Sequence, residues 1–171
     1  VAVLTGCFPQ AFPEKALLPE AEVITGTACR ARIVEDVERF RERGEKVVDI
    51  VPHEEGEAFE ELPAERLPGR TRAFVKVQDG CDRRCAYCII PTARGTVRSR
   101  AQSAILEELH ALAAAGCAEV VFTGINLPSY GRDTGTDLAG LVETAAGVEG
   151  IQRIRLSSLD PDRVTPELIE R

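Results

Sequence analysis

Hydrophobic and polar positions alternate between strand-like and helix-like stretches in the first part of the chain. Residues 1–5 predict a buried strand, and residues 22–25 predict a second, shorter one. Four apolar residues then recur at the spacing of one helix face: Ile33, Val34, Val37 and Phe40. They predict an amphipathic helix that ends at Gly44. Strands that alternate with helices in this way predict a parallel, doubly wound α/β sheet.

A second alternation of strands and helices begins near residue 73. A strand is predicted at 73–78, where Ala73, Val75 and Val77 face one way and Phe74, Lys76 and Gln78 the other. Apolar runs predict strands at 118–124 and 151–158. The helix between the first two strands runs to Ala115, and its apolar stripe consists of Ile105, Leu109 and Leu112. Three successive strand–helix units predict the first part of a β/α barrel, and they are too few to close one.

Polar residues mark the expected helix starts in this second part. Ser99 and Gln102 have the spacing of a capping box for the helix that ends at Ala115. Asp137 is expected to cap a helix that runs through residue 146. Thr165 followed by Pro166 predicts the start of a last helix.

Proline, glycine and charged residues separate the two alternating runs, from residue 51 to residue 71. We therefore predict a first domain over residues 1–62, a linker over 63–72 and a second domain over 73–171. The chain contains no methionine, begins in a strand-like run and stops in a helix-like one. These features predict that it is an interior piece of a longer protein.

Composition and charge narrow the class of protein. A hydrophobic content of 44% with 29% charged residues is typical of a packed globular protein, and there is no apolar run long enough to span a membrane. The net charge of −7 argues against a simple nucleic-acid-binding protein. The charge is uneven, however, because acids dominate between residues 35 and 61 and arginines dominate between 66 and 100. An anionic partner is therefore expected near Arg94, Arg98 and Arg100.

The stretch "DGCDRRCAYCIIP" carries the candidate chemistry, because it gathers Cys81, Cys85 and Cys88 into eight residues. Three interpretations are open: a zinc site completed by a histidine, a thioredoxin-like dithiol, or an iron–sulfur cluster. His53 and His110 are the two histidines, and neither has finger-like spacing from these cysteines. Four thiolates would saturate an iron–sulfur cube, whereas three leave one iron open to bind something else. The sequence favours the cluster and a reducing, cytoplasmic location.

The C-x3-C-x2-C spacing, with aromatic Tyr87 just before the last cysteine, resembles the signature of the radical S-adenosylmethionine (SAM) enzymes. The resemblance implies a [4Fe-4S] cluster held by Cys81, Cys85 and Cys88. It also implies that the open iron binds SAM, that the cluster cleaves SAM to a 5′-deoxyadenosyl radical, and that Tyr87 packs near the adenine.

Longer motifs narrow this resemblance to the methylthiotransferases: "TGCFPQ", "DGCDRRCAYCIIPTARGTVRSR", "VVFTGINLPSYGRD" and "IRLSSLDP". The combination is most similar to enzymes that add a methylthio group to C2 of N6-threonylcarbamoyladenosine in tRNA, next to the anticodon. Relatives acting on isopentenyladenosine in tRNA or on a ribosomal protein remain alternatives. An iron–sulfur or zinc module without SAM chemistry is the alternative of another class. The implied fold is the remainder of a doubly wound amino-terminal domain followed by a partial radical SAM barrel.

The family resemblance also implies roles for single residues. Cys7 would be one ligand of a second [4Fe-4S] cluster, whose other ligands would lie upstream of Val1. Residues of the SAM pocket would be Gly124, Asn126, Ser157 and Ser158. The implied partners are tRNA, bound through Arg94, Arg98 and Arg100, and an electron donor such as a flavodoxin or a ferredoxin. Residues 1–171 are expected to be inactive alone.

Four remaining residues of interest have no assigned chemistry. Cys29 and Cys117 fall outside the family's ligand positions and are expected to be structural. Tyr130 is expected to lie in a turn, and His53, which is surrounded by acids, is expected to be exposed.

Overall fold

The computed structural model describes residues 1–62 and 71–171. The chain divides into two compact units, and each is described by itself. Unit 1 comprises Val1–Glu60 with Cys81–Thr96, and unit 2 comprises Glu61–Gly80 with Val97–Arg171. The cysteine segment thus belongs to unit 1, although the sequence placed it in the second domain. The predicted linker at 63–72 lies almost entirely outside the described residues.

Unit 1 is built on a three-stranded parallel sheet with the order β1 (Val3–Leu4), β2 (Val23–Thr25) and β3 (Val47–Asp49). Its helices are α1 (Cys7–Ala11), α2 (Ile33–Arg43) and α3 (Ile90–Arg94). The central strand β2 is buried along its whole length, because it is flanked on both sides. Alternating parallel strands and helices confirm the predicted α/β class.

Two details of unit 1 differ from the sequence-based expectation. The strand at the chain start is short and lies at an edge of the described sheet, so Val3 is 39% exposed rather than buried. On α2, Val34 is 67% exposed and does not join the inward face. The helix does end as predicted, since Gly44 adopts a left-handed conformation with φ of 67° at its carboxyl end.

Unit 2 is built on a second parallel sheet with the order β4 (Arg72–Lys76), β7 (Glu119–Thr123) and β8 (Arg153–Leu156). Between these strands lie α4 (Gln102–Ala114) and α5 (Leu138–Ala146), and α6 (Pro166–Glu170) follows the last of them. The three predicted strand–helix units are therefore present. A core of fully buried residues fills the space between sheet and helices: Val75, Val77, Ile105, Leu109, Val120, Phe122, Leu127 and Leu141.

A short antiparallel pair joins β5 (Gln78–Asp79) to β6 (Arg98–Ser99), with Gln78 opposite Ser99 and Asp79 opposite Arg98. The pairing continues for one more residue, since the Arg100 N–H donates to the Val77 carbonyl at 2.9 Å. Both strands are buried. The pair joins the stretch of chain that precedes the cysteine segment to the stretch that follows it.

The predicted helix caps have mixed outcomes. The capping box is wrong, because α4 starts after Ala101 without a side-chain cap and the Ser99 hydroxyl instead donates to Asp133. The other two predictions are confirmed. The Asp137 carboxylate accepts from the Gly140 N–H at 2.6 Å, and the Thr165 hydroxyl accepts from the Leu168 N–H at 3.3 Å.

Glu119 is the centre of a group of ion pairs at the amino-terminal end of the β4–β7–β8 sheet, and we call this group the ionic belt. It lies opposite Arg72 on one neighbouring strand and Arg153 on the other, and it pairs with both, at 3.3 Å and 3.1 Å. Arg155 adds a third contact at 2.6 Å. Hydrogen bonds from Arg155, and then from Arg153, hold the pKa of the Glu119 carboxyl below its usual value.

Among the described helices, none combines the length and the apolar character that a bilayer crossing requires.

Candidate iron–sulfur and cofactor site

The cysteine segment is anchored at its ends and open in its middle. Cys81 is 8% exposed, and its N–H donates to the Gly95 carbonyl at 3.0 Å. Cys85 is exposed, Cys88 is half-buried, and a turn joins them through a 3.0 Å bond from the Cys88 N–H to the Cys85 carbonyl. Tyr87 points into solvent and is 93% exposed. The middle of the segment is thus accessible to a bound group.

The chemistry of these donors fits an iron–sulfur cluster. All six cysteines are free thiols, and thiolates are the usual ligands of iron–sulfur clusters. Within residues 1–62 and 71–171, no group of three or more Cys, His, Asp or Glu side chains is arranged to hold one metal ion. A cube binds its thiolates on separate irons.

The helix that follows the cysteines is attached to the rest of unit 1 through Thr27. The Thr27 hydroxyl donates to the carbonyl of Ala93, which is fully buried in α3. Since this uses the only hydroxyl proton, the Thr27 oxygen accepts from Nε2 of His53, at 2.8 Å. The other ring nitrogen of His53 pairs with Glu57. His53 is therefore held in place, with 6% of its side chain exposed, and is not the solvent-facing residue that the sequence suggested.

Gln10 extends this polar network toward α1. Its side-chain oxygen accepts from the Thr27 N–H at 2.8 Å, and its amide nitrogen donates to the Val51 carbonyl at 2.9 Å. Sequence reasoning missed Gln10 and Thr27, because both act through partners far away in the chain. The one available signal was that a histidine and a glutamate, His53 and Glu57, lie four residues apart.

Cys7 and Arg94 are in contact within unit 1. Cys7 begins α1, which packs against α3, and the Arg94 Nε donates to the Cys7 sulfur at 3.2 Å. The sequence had assigned Cys7 to a second cluster and Arg94 to RNA. The structure gives Arg94 a partner inside the protein.

A cavity of about 810 Å³ in unit 1 adjoins the cysteine segment. Its lining includes the apolar side chains of Leu17, Val48 and Ile50 and the charged side chains of Glu14, Glu54 and Glu55. The cysteine segment contributes Cys81, Asp82, Arg84, Pro91, Thr92, Gly95 and Thr96. His53 and Gln10 also line it. A concave, largely apolar space with a few polar groups is typical of sites for small organic molecules.

Arg98 and Arg100, which the sequence offered to RNA, are buried in unit 2. Arg98 is 6% exposed and lies 3.9 Å from the Asp79 carboxylate. Arg100 is 5% exposed and pairs with Glu108 and with Glu61. These partners are distant in sequence, so the sequence alone suggested surface charges. In this structure neither guanidinium is presented to a phosphate.

The carboxyl ends of β7 and β8 carry the residues predicted to contact SAM. Asn126 is 7% exposed, Gly124 and Ser157 are half-buried and Ser158 is exposed. The Ser157 Oγ is buried and has no hydrogen-bond partner among the described residues. An unsatisfied buried hydroxyl at a strand end fits a ligand with polar groups.

Comparison with known families decides between the open interpretations of the cysteine segment. The model of the radical SAM superfamily matches residues 75–171, which include the three cysteines, the last two residues of β4, and all of β7 and β8. The chain belongs to the radical SAM superfamily. This membership confirms the predicted cofactors of the first site, a [4Fe-4S] cluster and SAM, and the predicted partial radical SAM barrel.

The chain is similar over nearly its whole length to several curated methylthiotransferases. It is 35% identical to the "Threonylcarbamoyladenosine tRNA methylthiotransferase MtaB" of Bacillus subtilis, with 99% of this chain and 38% of the relative covered. It is 39% identical to the "tRNA-2-methylthio-N(6)-dimethylallyladenosine synthase" of Pelotomaculum thermopropionicum, covering 96% and 38%. It is 38% identical to the "Ribosomal protein uS12 methylthiotransferase RimO" of Desulforudis audaxviator, covering 99% and 38%. The chain therefore spans about two fifths of these relatives, and the predicted family resemblance is confirmed.

Proposed function

We propose that this chain forms the cluster-binding part of a radical SAM methylthiotransferase that acts on N6-threonylcarbamoyladenosine in tRNA. The observation that carries the proposal is the solvent-accessible loop with Cys81, Cys85 and Cys88 in a chain of the radical SAM superfamily. Similarity to methylthiotransferases over almost all of the chain supports the reaction.

The three cysteines would hold the cluster, and Tyr87, Gly124, Asn126, Ser157 and Ser158 would contact SAM. The cluster and SAM together supply a carbon radical, which is needed because an adenine C2–H bond is inert to ordinary acid–base chemistry. The protein's own residues bind, orient and exclude water. The Ser157 hydroxyl is available to a polar group of the cofactor, and the His53–Thr27 pair keeps α3, just beyond the last cysteine, in place. Cys7 would be a ligand of the second cluster.

The proposal also names a substrate, and two observations bear on that choice. Gly124-Ile125-Asn126 favours the threonylcarbamoyl substrate, because the families acting on other substrates usually carry a different triplet there. The similarity to the ribosomal protein uS12 methylthiotransferase, at 38% identity, favours a protein side chain as a second candidate. A tRNA substrate would present its base in the anticodon loop, where extruding an unpaired base costs little.

The cluster is tested first, in the intact protein that contains this chain, after anaerobic reconstitution. Wild type should bind iron and sulfide and show an EPR spectrum that SAM changes. Cys85→Ala should lose the part of the spectrum that responds to SAM, because it removes one of three ligands at an exposed position, while any signal of the second cluster should stay. Cys29→Ala is the matched control and should behave as wild type. A wild-type cluster whose spectrum ignores SAM would contradict the proposal.

The substrate is tested with two tRNA preparations, with and without the threonylcarbamoyl group, and with the ribosomal protein. Methylthiolation of the threonylcarbamoyl tRNA alone is the expected result. Equal turnover on tRNA lacking that group would remove the substrate assignment while leaving the reaction type intact. Turnover of only the ribosomal protein would establish the second candidate instead.

A further inference from the structure

Gln78 is a fully buried polar side chain that connects two loops of unit 2. It lies in β5 with 0% of its surface exposed. Its amide nitrogen donates to the carbonyls of Asp79, at 2.7 Å, and Gly80, at 2.8 Å. Its side-chain oxygen accepts from the Asn126 N–H at 2.7 Å. Both donors and the acceptor are therefore used.

The two loops adjoin residues that are proposed to bind the cluster and SAM. Asp79 and Gly80 immediately precede Cys81 in the chain, and Asn126 follows the carboxyl end of β7. Buried backbone groups that lack partners cost free energy. One side chain thus satisfies three of them at once, and it fixes the position of the Asn126 backbone relative to the two residues that lead into the cysteine segment.

Gly124 lies against the same side chain and leaves room for it. A Cβ atom built on Gly124 would lie 2.7 Å from the Gln78 Oε1, which is closer than such atoms approach, and a tight 3.0 Å from its Cβ. The sequence suggested that glycine here lets the backbone approach a ligand. In the structure the close neighbour is Gln78, so the glycine makes room for the side chain that binds the Asn126 N–H.

We propose that Gln78 is a positioning residue for SAM binding: it holds the Gly124–Asn126 segment in the binding conformation through the Asn126 N–H and the Asp79 and Gly80 carbonyls. This inference rests on the proposed function for the role of Gly124 and Asn126. The hydrogen bonds themselves do not depend on it, and the two parts can be tested separately.

The hydrogen bonds are tested in the 171-residue chain without cofactor, by amide hydrogen exchange. Gln78→Met has a similar length and removes all three bonds, so the Asn126 amide should exchange at least about tenfold faster, while the amides of Val120–Phe122 in β7 stay protected. Gln152→Met makes the same change at an exposed glutamine and should leave all of these amides unchanged. Wild-type protection of the Asn126 amide in Gln78→Met would overturn the inference.

The cofactor role is tested in the intact reconstituted protein. Gln78→Met should keep wild-type iron content but bind SAM at least about tenfold more weakly, measured by titrating the EPR change. Unchanged SAM affinity, with faster Asn126 exchange, would overturn the cofactor role. If wild type itself bound no SAM, the proposed function would fail instead, and the exchange result would still stand.

Gln78→Glu provides a second test that can be used if Gln78→Met does not fold. It keeps an oxygen for the Asn126 N–H but loses the NH2 group that donates to the Asp79 and Gly80 carbonyls, so at most one O–H donor remains for the two of them. Asn126 exchange should stay within about threefold of wild type while SAM binding weakens. Full SAM affinity in this variant would contradict the positioning role.

Discussion

The buried ion pair between Arg100 and Glu108 gives the sharpest stability prediction. Each side chain is 5% exposed, and the guanidinium also pairs with Glu61, at 2.6 Å, which is 46% exposed. Burial opposes the charge on Arg100, but hydrogen bonds to Glu108 and Glu61 outweigh it and raise the pKa of the guanidinium above its usual value. The guanidinium is therefore charged at neutral pH, and its burial depends on the two carboxyl partners.

Glu108→Leu should destabilise the protein because it leaves a charged group buried. Breaking a buried pair from one side costs about 3–5 kcal/mol. We expect about 3 kcal/mol here, the lower end of that range, because Glu61 still holds the guanidinium. Replacing both partners, Arg100→Met with Glu108→Leu, should bring stability back to within about 1 kcal/mol of wild type, since no charge remains buried.

The assay is urea unfolding of the three proteins and of Glu107→Leu, followed by circular dichroism. Glu107 is exposed on the same helix, and its replacement should change the free energy of unfolding by less than about 0.5 kcal/mol. A double variant as unstable as Glu108→Leu would refute the reasoning, as would a Glu108→Leu protein as stable as wild type. If the intact protein binds tRNA as proposed, Arg100→Met should leave the salt dependence of that binding unchanged. A slope reduced by about 0.9 would show that Arg100 contacts a phosphate.

Two further predictions concern other buried polar groups. The Tyr130 hydroxyl donates to the Arg100 carbonyl at 3.0 Å, and burial raises the pKa of Tyr130 to about 12. Because this pKa lies above the usual value, the stability that Tyr130 contributes over Tyr130→Phe should be full below about pH 10 and be lost as pH rises through about 12. Urea unfolding at about pH 8, 10 and 12 measures this, and a constant difference would contradict it. Thr27→Val should speed amide exchange in α3 about tenfold by removing the bonds to Ala93 and His53, whereas Thr27→Ser should preserve protection; equal exchange in the two variants would show that the hydroxyl does not anchor α3.

Local patterns were sufficient to predict the repeating elements of the fold. The period-two run at 73–78 and the apolar stripe of Ile105, Leu109 and Leu112 correspond to β4 and α4. The Asp137 cap was also predictable, because its partner Gly140 is three residues away. Such features depend on neighbours in the chain, and the sequence displays them directly.

Features that depend on distant partners could not be predicted. The β5–β6 pairing joins Gln78 to Ser99 across the cysteine segment, and no local pattern marks it. The Ser99 hydroxyl binds Asp133, so its capping-box spacing with Gln102 has no structural role. His53 looked exposed because its sequence neighbours are acidic, whereas its buried position depends on Thr27.

In the candidate site, too, some residues are marked by a local pattern, whereas others depend on partners that are distant in the chain. The cysteine spacing is the basis of the proposed cluster ligands, because three thiols in one loop are a chemical pattern in themselves. The partners of Arg98 and Arg100, Asp79 and Glu108, emerge only from tertiary packing. Gln78 carried no signal at all in the sequence, since a lone glutamine in a strand has no distinguishing pattern.

The ionic belt around Glu119 has a practical consequence for immobilising this protein on a surface. Arg153 is 63% exposed at the amino-terminal end of its strand, whereas Gly124 and Ser157 lie beyond the carboxyl ends of β7 and β8. A tether placed at Arg153 would therefore attach unit 2 to an electrode or a bead through the amino-terminal ends of its strands, where no chemistry is proposed. The carboxyl ends of the strands would then face the solution.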